Sequence, residues 1–193
     1  HESEWFQYIS QLAKRKQWII KEIKWNEKDG AFVDATPLEL KEIIEINLIS
    51  GNIEILGNAI RKYLEHFLKE VCKSLEVRVV FKFNNENEKR MPDELLNELK
   101  SKIDKCSNGL KAQIPILERV NNSTILTNLL SHDNRFSPKL GDLKALWMDV
   151  QALEGLFLCS ESNCMKYITL KHYDTVLKEI RCACGKKKYD WKK

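Results

Sequence analysis

Glycine and proline are scarce in this chain, with seven and four among 193 residues. So few breakers exclude a many-turned all-β fold and favour long helices. No apolar run approaches the roughly 18 residues that a membrane-spanning helix needs, so no membrane partner is expected. A charged-then-apolar amino-terminal leader is also missing, and the chain is expected to be cytoplasmic. There is no Gly-x-x-x-x-Gly-Lys-Ser/Thr loop, so this chain should not hydrolyse ATP by itself. A one-sided charge is lacking too: the formal net charge is +4, too small to argue for nucleic-acid binding on its own.

What is present is ordinary for a globular protein, 43% apolar and 31% charged residues, in a chain long enough for one or two domains. Ser3 to Lys14 reads as a short helix with Trp5, Phe6, Ile9 and Leu12 on one side. "QWIIKEIKW" reads as a strand, "NEKDG" as a turn and "AFVDA" as the returning strand. Residues 1–35 are thus an α/β lead-in. "TPLE" then opens a helix: Thr36 caps, Pro37 suits the first turn, and Glu39 completes a capping box. "SGN" at Ser50 to Asn52 breaks or bends it before a long helix that ends near Leu75. "VRVVFKF" is a strand or an extended connector, and "NNENEKRMP" a polar loop. Helices follow in "DELLNELKSKI", in "PILERV" with "STILTNLL" (bent at Asn121-Asn122), and in "DLKALWMDVQALEGLF". Residues 36–158 are therefore read as a helical bundle of four or five helices.

The strongest chemical signal is the cysteine pattern. "CSESNC" and "CACG" place Cys159, Cys164, Cys182 and Cys184 in the last 35 residues, the pairs separated by 17 residues. Two close pairs with a short excursion can put four thiolates around one structural Zn²⁺. Residues 159–193 are read as a terminal zinc-ribbon-like β element with a basic tail. The spacing departs from the usual Cys-x-x-Cys, and His172 is an alternative fourth ligand. Free or redox-active thiols are the competing reading. Cys72 and Cys106 read as ordinary half-buried or buried cysteines. The final "GKKKYDWKK" is basic, with Tyr189 and Trp191 interleaved. It is either a solubilising end or a nucleic-acid contact through Lys186, Lys187 and Lys188.

On the long helix, at about 100° per residue, Ile60, Leu64, Phe67, Leu68, Val71 and Leu75 form one stripe. Arg61 and Glu65 fall at about 100° and 140°, flanking that stripe. They are either an i,i+4 ion pair or half of a site that needs a third group from another segment. His132, one turn after Asn128 in "TNLLSHDN", is the candidate third group; alternatively it is a helix-terminal histidine.

"IRKYLEHFLKEVC" followed by "TNLLSHDN" resembles the HEPN superfamily of helical-bundle ribonucleases, and more narrowly its anticodon-nuclease members with Arg-x-x-x-Glu plus His. Those are effector domains behind ABC- or SMC-type defence ATPases. The resemblance implies a catalytic set of Arg61, Glu65 and His132 supported by Asn128, metal-independent cleavage of tRNA or other RNA, and a homodimer. It departs at Thr127, where the common motif has an arginine. "HESEWFQYISQLAKRKQWIIKEIKW" is similar to the segment after the switch histidine of an ABC-type ATPase, which implies an ATPase portion in the same parent chain. The leading His1 is equally read as a cloning remnant. The expected fold is mainly α, HEPN-like, and the competing function is a non-catalytic interaction or nucleic-acid-binding module with structural zinc.

Overall fold

A computed structural model describes residues 23–26, 30–33, 35–80, 90–132 and 138–192, with side chains described for 35–80, 90–124 and 138–192. The chain divides into two compact units, His1–Glu39 and Leu40–Lys193. In the first, β1 (Ile23–Asn26) pairs antiparallel with β2 (Gly30–Val33), from Ile23 opposite Val33 to Asn26 opposite Gly30. The hairpin read from "EIKW" and "AFV" is therefore present. The helix expected over Ser3 to Lys14 lies outside the described residues.

Helix α1 (Pro37–Ser50) starts as the capping box requires. The Thr36 N–H donates to Glu39 Oε2 at 2.7 Å, and the Glu39 N–H donates to Thr36 Oγ1 at 3.3 Å. It stops at Gly51, whose φ of 75° is the left-handed conformation that a Cβ disfavours. Asn52 then caps α2 (Ile53–Ser74) by accepting from the Ile55 N–H at 3.2 Å. "SGN" is thus a clean break between two helices.

Helix α2 is the centre of the second unit. Ile60, Leu64, Phe67, Leu68 and Val71 are buried on it, followed by Leu75, at about 1.5–3 kcal/mol for each large apolar side chain removed from water. It packs against α3 (Pro92–Cys106), α5 (Ile114–His132) and α6 (Leu140–Phe157). A short α4 (Asn108–Lys111), capped by Ser107, joins α3 to α5. Helix α5 is continuous through Asn121-Asn122, where the sequence suggests a bend. Residues 77–80 belong to no helix or strand, so of the two readings of "VRVV" the strand is not seen in that part. No helix among the described residues is long and apolar enough to cross a membrane.

The carboxyl-terminal strands β3 (Thr169–Asp174), β4 (Glu179–Arg181) and β5 (Lys188–Asp190) form an antiparallel sheet in that order. The element belongs to the same compact unit as the bundle. Three contacts explain why. Tyr167 packs on Phe67 of α2, with ring centroids 6.0 Å apart. Thr169 Oγ1 donates to the Ser74 carbonyl at 3.2 Å. Trp191 is 1% exposed and belongs to the core, which corrects its reading as a base-stacking side chain of a free tail.

Asp190 closes the last strand onto the α4 corner. Its carboxylate accepts from the Asn108 and Gly109 N–H groups, each at 2.8 Å, and from Ser107 Oγ at 3.2 Å. A Cβ on Gly109 would sit 3.0 Å from Asp190 Oδ1, so a larger residue there would push the carboxylate by a few tenths of an ångström. Burial opposes the Asp190 charge, but those three donors outweigh it and hold its carboxyl below the usual range. A depressed folded value means stability that is present above the unfolded value of about 3.9 and lost as pH falls through the folded one. Asp190→Ala is expected to cost about 1–2 kcal/mol at pH 7. The gap from wild type should close below about pH 4 in urea melts.

Candidate metal centre and candidate active site

Two turns build the metal centre. In the first, Leu158 bridges Tyr167, the Cys159 N–H donates to the Lys166 carbonyl at 3.0 Å, and the Cys164 N–H donates to the Glu161 carbonyl at 2.8 Å. Met165, just after this pair, takes a positive φ of 43° where the chain turns back. In the second, Gly185 (φ 78°) turns the chain after Cys184. The Lys187 N–H then donates to Cys182 Sγ at 3.4 Å. The one-residue spacing of Cys182 and Cys184 is absorbed by this turn, not by a straight strand.

All four Sγ atoms lie within 4.8 Å of one another. Cys159 and Cys184 are 3.6 Å apart, and Cys182 and Cys184 3.4 Å. Disulfide sulfurs stand about 2.05 Å apart, so these are separate thiols. Four sulfurs at about 2.3 Å from one tetrahedral ion stand about 3.8 Å from each other. The cluster fits that edge length before any ion is added. Cys159, Cys164 and Cys182 are buried and Cys184 is exposed at the rim. His172 is exposed on β3 and outside the cluster, so the cysteine set needs no replacement.

The thiols cannot all ionise unaided. Burial works against the Cys182 thiolate, but the Lys187 amide and the neighbouring thiols bring its pKa to about 6. At Cys184 the Lys186 amide favours the charged form, yet burial and the other sulfurs push it up to about 12. A divalent cation removes that conflict, because it is the one partner that stabilises every thiolate together. Elsewhere, burial and the charge of Glu98 push the Cys72 thiol up to about 12, so it is inert.

Arg61 and Glu65 meet, with Arg61 Nε donating to Glu65 Oε1 at 3.1 Å. Their side chains are 20% and 25% exposed, at the flank of the core where the helical arithmetic puts them. Arg61 Nη2 also lies 3.5 Å from Met91 Sδ at the start of α3. His132 ends α5, and Asn128 lies one turn earlier on it. Their side chains are outside the described residues, as is that of Thr127.

The three lysines of the tail are engaged within the fold. Lys186 pairs with Glu161 at 2.7 Å, Lys188 pairs with Glu179 at 3.0 Å, and Lys187 Nζ donates to the Gly155 carbonyl at 2.5 Å.

A buried polar group that the sequence reading passes over lies between α1, α2 and α6. Glu154, 8% exposed, accepts from Lys41 Nζ at 2.9 Å and from the Tyr63 hydroxyl. Burial, with Glu154 alongside, drives the Tyr63 pKa far upward, so the phenol stays protonated and donates. Trp147 packs edge-on to Tyr63 at 5.3 Å and donates to Glu45 at 3.1 Å. A signal existed: Glu154 stands four residues after Val150 and seven after Trp147, inside an apolar stripe. No protein-family model, no curated protein and no solved structure matches the chain.

Proposed function

We propose that this chain is the effector domain of a defence-type ATPase, a helical module stapled by one structural zinc and able to cut RNA without a catalytic metal. The staple is supported by the four-sulfur cluster. Its thiolates fill a tetrahedral ion, and a filled ion has no open position for substrate. Metal analysis of the purified chain is expected to give one zinc per molecule.

The cutting site is carried by the Arg61–Glu65 hydrogen bond at the half-exposed flank of α2. A guanidinium held along one edge by a carboxylate keeps its other N–H groups in a fixed direction, which suits the oxygens of a phosphodiester. In this reading His132 takes the proton of the ribose 2′-OH, whose oxygen attacks the phosphorus. The 5′-oxygen leaves and takes a proton from solvent. The products are a 2′,3′-cyclic phosphate and a 5′-hydroxyl. Arg61 stabilises the charge on the non-bridging oxygens. A homodimer, which the resemblance implies, brings two such flanks together.

A second reading, a non-catalytic interaction module, is favoured by Arg61 itself, whose contacts to Glu65 and Met91 already account for an ordinary ion pair. One assay separates them. Total tRNA incubated without added divalent metal is expected to give discrete fragments with cyclic phosphate ends. Arg61→Ala and His132→Ala, both folded and zinc-loaded, should be slower by at least about 100-fold. Intact tRNA after incubation with folded wild type would assign the chain to the interaction module.

A further inference from the structure

The tail lysines are tied to partners in the fold, but another set of cations is not. Arg78, just beyond α2, faces one side of α3 across a cleft of about 260 Å³, lined also by Glu98, Ser101, Lys102, Lys105 and Cys106. Three cations thus share the cleft with one carboxylate. Arg78, Lys102 and Lys105 have no ion-pair partner among the described residues, in contrast to Lys186 and Lys188. Lys102 Nζ stands 6.0 Å from the centre of the buried Trp191 ring, which fixes the direction of its ammonium. Lys102 and Lys105 are three apart on α3, so they share one helix face with about 5–6 Å between Cβ atoms. The Lys192 N–H donates to the Cys106 carbonyl at 2.6 Å, which brings the basic chain end to the same edge.

Ion pairs at a surface contribute little, so like charges left unpaired and side by side carry a repulsive cost with no folding return. A polyanion relieves it. We propose that this cleft is the surface that binds the phosphodiester backbone of single-stranded RNA, with Arg78, Lys102 and Lys105 on successive phosphates and Ser101 as a neutral donor. The proposal rests on RNA being the substrate. The lining offers cations and one hydroxyl but no aromatic ring, so binding is insensitive to base sequence.

The test uses Arg61→Ala, which leaves RNA uncut, and a labelled single-stranded RNA of about 20 nucleotides followed by anisotropy. The triple change Arg78→Ser, Lys102→Gln, Lys105→Gln is expected to weaken binding at least tenfold. It should also flatten the slope of log affinity against log salt by about 2, at about 0.7 per lost phosphate contact. Lys186→Gln, Lys187→Gln, Lys188→Gln together should stay within twofold. Saturating RNA should slow alkylation of Cys106 by N-ethylmaleimide, located by mass spectrometry, and this readout needs no substitution.

Affinity lost in the tail variant and kept in the cleft variant would overturn the proposal. So would unchanged labelling of Cys106 under saturating RNA, or displacement of RNA by low-millimolar inorganic phosphate, which would mark a small-anion site. Cleft-dependent binding without cleavage by wild type would retire the nuclease reading alone. Cleavage with cleft-independent binding would retire the cleft alone.

Discussion

Cys182→Ser is expected to empty the metal centre and to lower the melting temperature of the chain by at least about 5–10 °C. Structural zinc in small domains contributes about 10–16 kcal/mol to folding. This chain also has a bundle core, so only part of that figure falls on global stability. Even a quarter of the lower bound, about 2.5 kcal/mol, moves a domain of this size by that much. The loss is structural because Cys159 and Cys184 bring together two turns, one following α6 and one between β4 and β5, which the surface Lys186–Glu161 pair joins only weakly. Their release frees β5 and with it Trp191, which is 1% exposed. Zinc content should fall to zero, and a Trp191→Phe comparison should show that the fluorescence change on metal loss comes from that indole. Full zinc content and an unchanged melt in Cys182→Ser would refute the four-thiolate site.

Glu154→Ala carries the second large effect, a loss of about 2–4 kcal/mol. Breaking a buried charged pair from one side costs about 3–5 kcal/mol. The estimate here is lower because the Lys41 side chain is 37% exposed and can turn to water. Tyr63 has no such exit, at 2% exposure, and its orphaned hydroxyl accounts for about 1–3 kcal/mol of the loss. Glu154→Gln keeps an acceptor for the phenol and should lose about half as much. Tyr63→Phe combined with Glu154→Ala should be less destabilising than the sum of the two, since the phenol is then no longer stranded. Strict additivity in urea melts would show that the two groups do not depend on each other.

Much of the architecture is legible in the sequence because it is local. The capping box at Thr36 to Glu39, the break at Gly51 and the stripe from Ile60 to Leu75 each depend on residues within a turn or two. The cysteine cluster is legible for another reason, since two close pairs of thiols in sequence fold into one group that could hold a metal ion. What the sequence leaves hidden is long-range. Asp190 looks like a member of a polar tail until the α4 corner supplies its donors, and so does Trp191 until the fold buries it. Glu154 looks like one more surface acid until Tyr63, 91 positions earlier, meets it. The Arg61–Glu65 pair is visible from spacing alone, whereas the packing of α5 on α2 is a long-range matter that spacing does not report.

The contact between Asp190 and Asn108 joins positions 82 apart. Its consequence is one of timing. A ribosome adds about 5–20 residues each second, so the helices up to Phe157 can pack seconds before the last strand exists. Through that interval the α4 corner lacks the Asp190 carboxylate that accepts from its N–H groups. The nascent bundle therefore waits, incompletely closed, for β5 and for the second pair of the four-thiol cluster. A shortage of zinc during synthesis should then show as rapid proteolysis of new chains, while chains already finished stay intact.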